Sequence, residues 1–222
     1  DGLRVERKGV KRSKSSKSGI EPKVTWDKLG EEISRVWVAS SDYSGDMAGD
    51  DKRWARVVDT YRRMRNTLKC LMANTSDFDA TKDAVPFDEM LEIDRYALAE
   101  VTSLQHTVRS NYDTYLFHPV VTQLQLYCSE DLGGFYLDIL KDRLYTTSAN
   151  SQARRSAQTA LYHITQSLLR WIAPVLSFTA EEAWKIVGTS ESIFMETYIE
   201  DHKWFQTVGP KSVIHKNLVT KW

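Results

Sequence analysis

The segment Gly134-Phe-Tyr-Leu-Asp-Ile-Leu-Lys-Asp-Arg-Leu-Tyr145 and the basic segment after it decide the fold. A polar turn, residues 146–151, separates the two. Apolar side chains recur at spacings of three and four before the turn (Val121, Leu124, Cys128, Leu132, Phe135, Ile139) and after it (Leu161, Ile164, Leu168, Trp171). Each period predicts an amphipathic helix with one apolar face. Two such helices joined by a short loop predict an antiparallel hairpin.

The rest of the chain predicts further helices of the same kind. One is expected from Asp51 to Asn74, where a four-three spacing of apolar residues is typical of a bundle seam: Val57, Tyr61, Met64, Leu68 and Leu71. Another is expected from Pro86 to about Tyr112, with an acidic outer face at its start. Residues 179–182, Thr-Ala-Glu-Glu, match a capping box, and residues 1–10 alternate weakly, as the edge of a β-hairpin does. The predicted fold is all-α, an antiparallel helical bundle with a short N-terminal loop or β segment.

Charge is segregated along the chain although the formal net charge is zero. Residues 1–23 carry eight Lys or Arg against three Asp or Glu, and residues 52–69 carry seven against one. Residues 77–100 carry two against eight. A basic face on a neutral protein is typical of a nucleic-acid binder, but solvated helix faces give the same pattern, so the charges alone leave both interpretations open.

Residue types with catalytic or metal-binding spacing are not found. Cys70 and Cys128 lie on apolar stripes outside any Cys-x-x-Cys pair, which favours reduced thiols and no metal site. The sequence has no apolar run long enough to cross a membrane. We therefore expect a cytoplasmic monomer that binds no membrane and no DNA and that catalyses nothing by itself.

Several motifs together resemble the anticodon-binding helical domain of bacterial isoleucyl-tRNA synthetases, which are class I aminoacyl-tRNA synthetases. The motifs are residues 135–145 (FYLDILKDRLY), 153–163 (ARRSAQTALYH), 37–43 (WVASSDY), 61–67 (YRRMRNT) and 177–184 (SFTAEEAW). The resemblance implies a portion of a longer enzyme that attaches isoleucine to its tRNA with ATP and Mg²⁺. It divides the chain into the end of a catalytic domain (1–24), connecting helices (25–49), the anticodon-binding bundle (50–187) and a linker toward a further module (188–222).

The basic run Lys11-Arg-Ser-Lys-Ser15 resembles the mobile Lys-Met-Ser-Lys-Ser loop of that family, with Arg12 in place of Met. The resemblance implies a catalytic loop made of Lys11, Ser13, Lys14 and Ser15, with Lys14 contacting ATP. Because Ser-Lys-Ser occurs twice, Lys17 is the ATP contact in an alternative register. Cations on a closing loop stabilise charge that develops as pyrophosphate leaves. Without the nucleotide-binding fold, we expect no ATP–pyrophosphate exchange by this chain.

The same resemblance and the chemistry of the side chains suggest a set of tRNA-binding residues. Unpaired RNA bases stack on aromatic rings and guanidinium planes, and phosphates attract Lys and Arg. The predicted contacts are Arg62, Arg65, Lys141, Arg143, Tyr145, Arg154 and Arg155, with Tyr162 and His163 nearby.

Two alternatives remain for these cations. Arg62 and Arg65 could instead anchor acidic partners inside the bundle, and the adjacent Arg154 and Arg155 could pair with Asp138 or Asp142 across the hairpin. Neighbouring residues on a helix diverge by about 100°, so we expect Arg154 and Arg155 not to share one contact. The two functional hypotheses are accordingly a tRNA-binding portion of a synthetase and a non-catalytic helical bundle that binds RNA or protein.

Overall fold

The computed structural model describes residues 4–5, 22–42, 47–48 and 51–199, and most of these residues are helical. The helices are α1 (Pro22–Leu29), α2 (Glu31–Ala39), α3 (Asp51–Asn74), α4 (Glu92–Asp113), α5 (Phe117–Leu126), α6 (Leu137–Thr146), α7 (Gln152–Ile172) and α8 (Ser177–Val187). A π-helical segment (Tyr127–Tyr136) joins α5 to α6, and single 3₁₀ turns lie at Phe87–Glu89 and Ile193–Met195. The predicted all-α bundle is confirmed.

The short β segment near the N-terminus pairs differently from the prediction. Strand β1 (Arg4–Val5) pairs with β2 (Met47–Ala48) in parallel. A hairpin joins neighbouring antiparallel strands, so the predicted hairpin edge is wrong. The partner strand comes instead from the segment after α2.

Helix α7 is the centre of the bundle and packs against α3, α4, α6 and α8. Its predicted apolar face is confirmed, because Leu161, Ile164, Leu168 and Trp171 are all fully buried. Truncating one such leucine to alanine costs about 2–5 kcal/mol through lost burial and the cavity that remains. Ser151 caps the N-terminus of the helix, because its hydroxyl accepts a hydrogen bond from the Arg154 amide.

Helix α3 has the predicted bounds and the predicted inward face. Val57, Met64, Leu68 and Leu71 are buried, and Tyr61 is half-buried at the edge of the seam. The opposite side of the helix faces solvent and carries most of its basic residues. Most of the segregated charge of residues 52–69 therefore lies on one exposed helix face.

The helix that contains the fold-deciding segment changes register along its length. Val121, Leu124, Cys128 and Leu132 point inward as predicted. Phe135 and Ile139, however, are 42% and 41% exposed, and Tyr136 and Leu140 occupy the core instead. The π-helical segment accounts for the difference, because its i to i+5 hydrogen bonds accommodate additional residues per turn and rotate everything that follows.

The acidic segment before α4 is not one continuous helix. Pro86 precedes a single 3₁₀ turn, and α4 begins only at Glu92. The intervening Leu91 has an extended backbone, and its amide donates to the Ser156 hydroxyl at 2.9 Å. The prediction of a helix starting at Pro86 is therefore wrong, because the chain exchanges a helical hydrogen bond for one to α7.

Helix α2 is fastened to the turn between α7 and α8. The Arg35 guanidinium donates to the carbonyl oxygens of Val175 and Pro174, both at 2.8 Å. The buried Glu32 carboxylate accepts hydrogen bonds from the Thr179 amide, at 2.9 Å, and from the Thr179 hydroxyl. Thr179 lies inside α8, which starts at Ser177 without a side-chain cap, so the capping-box prediction is wrong. A glutamate from another helix satisfies the helix start instead.

Candidate nucleic-acid interface

Several hydrogen-bond donors converge on the buried Asp94 carboxylate at the end of the bundle where α6 meets α7. It is fully buried and accepts two hydrogen bonds from the Arg143 guanidinium, at 2.8 and 2.9 Å. The Tyr136 hydroxyl donates at 2.7 Å and the Ser156 hydroxyl at 2.5 Å. Arg143 also donates to the Ala153 carbonyl at 3.3 Å. Burial and the neighbouring Asp94 charge raise the pKa of Tyr136 well above its ordinary value, which keeps its hydroxyl a donor.

This arrangement differs from the expectation that the start of the predicted helix presents acidic residues outward. Asp88 and Glu89 are exposed, but Asp94 is in the core. Its position gave a signal, because it lies four residues after the buried Met90 and four before the buried Leu98, within the apolar period. Arg143, one of the predicted tRNA contacts, has its guanidinium engaged with Asp94 and Ala153 in this structure.

The arginines at the start of α7 hold the loop that follows α3. Arg154 donates to the Asp77 carboxylate at 2.8 Å, and Arg155 donates to the Asp77 carbonyl at 3.0 Å. Arg155 also lies 3.4 Å from the Asp83 carboxylate. Burial raises the pKa of Asp77, but the Gln158 hydrogen bond and the Arg154 charge lower it by more, so the carboxylate is favoured.

One alternative left open for this pair is not observed, and one expectation about it is wrong. The acidic partners are not Asp138 or Asp142, which stand on α6, but aspartates of the 75–85 loop. The two arginines also share one partner residue, Asp77, despite the angle between their Cα–Cβ directions. A guanidinium at the end of three methylenes reaches around the helix, so backbone direction alone did not decide the contact.

The α3 arginines divide between an internal role and an exposed one. Arg65 pairs with Glu182 of α8 at 2.8 Å and donates to the Thr179 hydroxyl at 3.1 Å, which is the anchoring alternative. Arg62 is exposed and has no hydrogen bond or ion pair with the described part of the chain. Lys69, two turns further along, is exposed in the same way and was outside the predicted contact set. It lies about 10 Å from Arg62 along the helix axis, on nearly the same side.

Lys141 and Tyr145 project from the last turns of α6. Tyr145 is 71% exposed. Lys141 is exposed and pairs with Asp138 at 2.5 Å, one turn away. That hydrogen bond raises the pKa of Lys141, with smaller contributions from Tyr145 and from Cys70 of α3. Lys141 and Tyr145 are four residues apart on one helix, so they lie on the same exposed side of α6.

The remaining candidates are less available or lie elsewhere. Tyr162 is half-buried, packs its ring 5.9 Å from that of Phe78, and has a pKa raised by burial. The His163 ring lies 5.3 Å from the Tyr162 ring, between centroids. The catalytic-loop candidates, residues 11, 13, 14, 15 and 17, lie outside the described residues.

The part of the chain that the structure describes has neither a cluster of metal-ligating side chains nor a helix that could cross a membrane. There, no three His, Cys, Asp or Glu side chains are grouped as metal ligands would be. No helix in that part combines the length and the apolar character that crossing a bilayer requires. Both cysteines are free; Cys128 is buried and Cys70 is half-buried.

An exposed aromatic side chain beside cations, at the tip of a helical hairpin, is an arrangement suited to single-stranded RNA. The family model for the anticodon-binding domain of tRNA ligases matches residues 94–218. The chain belongs to this family of tRNA-ligase anticodon-binding domains.

The most informative relatives are isoleucine–tRNA ligases. The chain is 56% identical to the one from Burkholderia vietnamiensis over 216 residues, which is 97% of this chain and 22% of the relative. It is 60% identical to the one from Paraburkholderia phytofirmans over 198 residues, which is 89% of this chain and 21% of the relative. The chain thus spans about a fifth of the length of the curated relatives it matches.

A solved structure supports the fold independently. A LeuRS from Agrobacterium radiobacter K84, determined as a ternary complex with tRNA and LeuAMS, matches with a TM-score of 0.66. The match covers 92% of this chain and 24% of that one, at 15% sequence identity. At this identity the similarity concerns the fold alone, and it confirms the predicted helical bundle.

Proposed function

We propose that this chain is the anticodon-side, tRNA-binding portion of an isoleucine–tRNA ligase. The observation that carries the proposal is the family match over residues 94–218, which include both helices of the α6–α7 hairpin. The high identity to isoleucine–tRNA ligases supports isoleucine-accepting tRNA as the partner. The tRNA in the complex of the structurally similar LeuRS supports a tRNA ligand for this type of bundle.

The exposed side chains suggest how RNA is held. Tyr145 offers an aromatic face on which an unpaired anticodon base stacks, and Lys141 beside it attracts the adjoining phosphate. Arg62 and Lys69 on the solvent side of α3 supply two further phosphate contacts without sequence preference. Arg143, Arg154 and Arg155 also have acidic partners, but their side chains are only 13–21% exposed, against 65% for Lys141. We therefore assign these arginines to holding this end of the bundle in shape.

The activity of the longer enzyme is also part of the proposal. In it, isoleucine is attached to tRNA with ATP and Mg²⁺, and the loop with Lys11, Ser13, Lys14 and Ser15 contacts the triphosphate. The resemblance of the loop to the family motif is what supports this role. The division of the chain after residues 24, 49 and 187 is part of the same proposal. Within the described residues, Ile33, Val36 and Trp37 of α2 nevertheless share one core with α3 and α7.

Direct binding tests the proposal. The affinity of the 222-residue chain is measured for the isoleucine-accepting tRNA and for an unrelated RNA of equal length, at the same salt concentration. We expect the tRNA to displace the chain from heparin at concentrations where the unrelated RNA does not. Equal displacement by both RNAs, or displacement only by acidic proteins, would favour the general interaction bundle instead.

A further inference from the structure

Asp94 and Arg143 form a buried link between the helices that make the RNA-facing end of the bundle. Asp94 lies in the first turn of α4 and Arg143 in the last turns of α6. The two hydrogen bonds between them are bidentate, with both carboxylate oxygens and both terminal guanidinium nitrogens engaged. The side chain of Arg143 is 16% exposed and that of Asp94 is fully buried. Bidentate pairs of this kind fix orientation as well as distance.

The link also includes α7 and the π-helical segment. Ser156 and Tyr136 donate to the same carboxylate, and Arg143 donates to the Ala153 carbonyl at the start of α7. Four structural elements thus meet at one buried charge. Their relative rotation is set by donor and acceptor geometry, which tolerates less displacement than apolar contact does.

Arg143 stands between Lys141 and Tyr145 on the same short stretch of helix. Its backbone carbonyl accepts a hydrogen bond from the Thr147 hydroxyl at 2.5 Å, which fastens the turn that follows. Consequently, the direction in which Tyr145 projects depends on how the end of α6 is held, and the Asp94–Arg143 pair holds it from inside.

We propose that Asp94 is a positioning residue for tRNA recognition: through Arg143 it sets the end of α6 so that Tyr145 meets an anticodon base. This inference rests on the proposed tRNA-binding function. Stability alone does not call for a charged pair here, because well-packed apolar residues often replace a buried ion pair without loss of stability. Fixed geometry is what a bidentate charged pair supplies that an apolar pair does not.

A double-mutant cycle tests the coupling. Dissociation constants for isoleucine-accepting tRNA are measured for the unchanged chain, Asp94→Asn, Tyr145→Ala and the double variant. Losing a stacking aromatic weakens binding by about tenfold, and Asp94→Asn should weaken it by about fivefold when Tyr145 is present. In the Tyr145→Ala background, Asp94→Asn should change affinity by less than about twofold, since residues that act as a unit are not additive.

A matched control separates positioning from general loosening of the bundle. Glu196→Gln removes another carboxylate that pairs with an arginine, Arg170 of α7, and should leave tRNA affinity unchanged. Arg143→Lys keeps the charge but loses the bidentate fork, so it should reproduce the effect of Asp94→Asn. If Asp94→Asn does not fold, the cycle is run with Arg143→Lys.

The outcomes distinguish the two proposals. If the unchanged chain does not bind the tRNA, the proposed function fails and the positioning role fails with it. If the tRNA binds but the two substitutions are additive, or Tyr145→Ala has no effect, the positioning role alone is overturned. Coupling together with an unaffected Glu196→Gln variant supports it.

Discussion

Replacing Asp94 by alanine should be among the most destabilising single changes in this chain. The substitution leaves the Arg143 charge, which is 16% exposed, without its carboxylate, and removes the acceptor of the Tyr136 and Ser156 hydroxyls. Removing one partner of a buried ion pair costs about 3–5 kcal/mol. Two hydroxyls left without an acceptor add to this cost, while water entering the vacated space reduces it, so we expect a loss of about 4 kcal/mol in the free energy of unfolding.

The assay is thermal and denaturant unfolding followed by circular dichroism. For a protein of this size a loss of 1 kcal/mol lowers the melting temperature by about 2–4 °C, so Asp94→Ala should melt about 8–16 °C lower. Asp138→Ala is the control, because its pair with Lys141 is exposed and should contribute little. A loss below about 1 kcal/mol, the range of exposed pairs, would refute the reasoning that this carboxylate organises the end of the bundle.

Three further predictions concern single side chains. Arg62→Ala and Lys69→Ala should each lower the magnitude of the slope of log tRNA affinity against log salt concentration by about one unit or slightly less, while folding is unchanged. Unaltered slopes in binding titrations at several salt concentrations would show that α3 is not part of the interface. Arg155→Ala should instead lower the melting temperature and leave the salt dependence of tRNA binding unchanged, because the Arg155 guanidinium binds the 75–85 loop. An unchanged melting temperature with a reduced salt dependence would indicate that Arg155 contacts a phosphate. Burial raises the pKa of the Cys128 thiol to about 12 from 9.0, so the contribution of the buried thiol to stability is present below pH 9 and is lost as the pH rises from 9 toward 12. Iodoacetamide at pH 8 should therefore modify Cys70 well before Cys128, and equal modification rates by mass spectrometry would contradict the buried position of Cys128.

The sequence was sufficient for the bundle because its helices obey simple periodicity. Helix α3 has the predicted bounds, and the apolar face of α7 is buried as predicted. The sequence did not predict which side of α6 is buried, because Phe135 and Ile139 were expected to point inward and are exposed. A period of 3.6 residues assumes uninterrupted i to i+4 hydrogen bonding, and the π-helical segment rotates the face by about one residue.

The polar contacts were harder to predict than the core. The two acidic partners of Arg155, Asp77 and Asp83, are more than 70 residues away in sequence, and only the packing of α7 beside the 75–85 loop brings them together. Asp94 was predictable in part, since a carboxylate within an apolar period has to find a donor inside the protein. Which donor it finds depends on the rotation of α6, and that rotation follows from the π-helical segment.

Chemical footprinting of isoleucine-accepting tRNA with the 222-residue chain tests the central claim most directly. The account predicts that the chain protects anticodon-loop bases, and that Tyr145→Ala removes protection at one of them while the surrounding phosphates stay protected. A tRNA with a substituted anticodon should bind more weakly at the same salt concentration. Protection confined to regions outside the anticodon arm, with equal affinity for the substituted tRNA, would contradict the account.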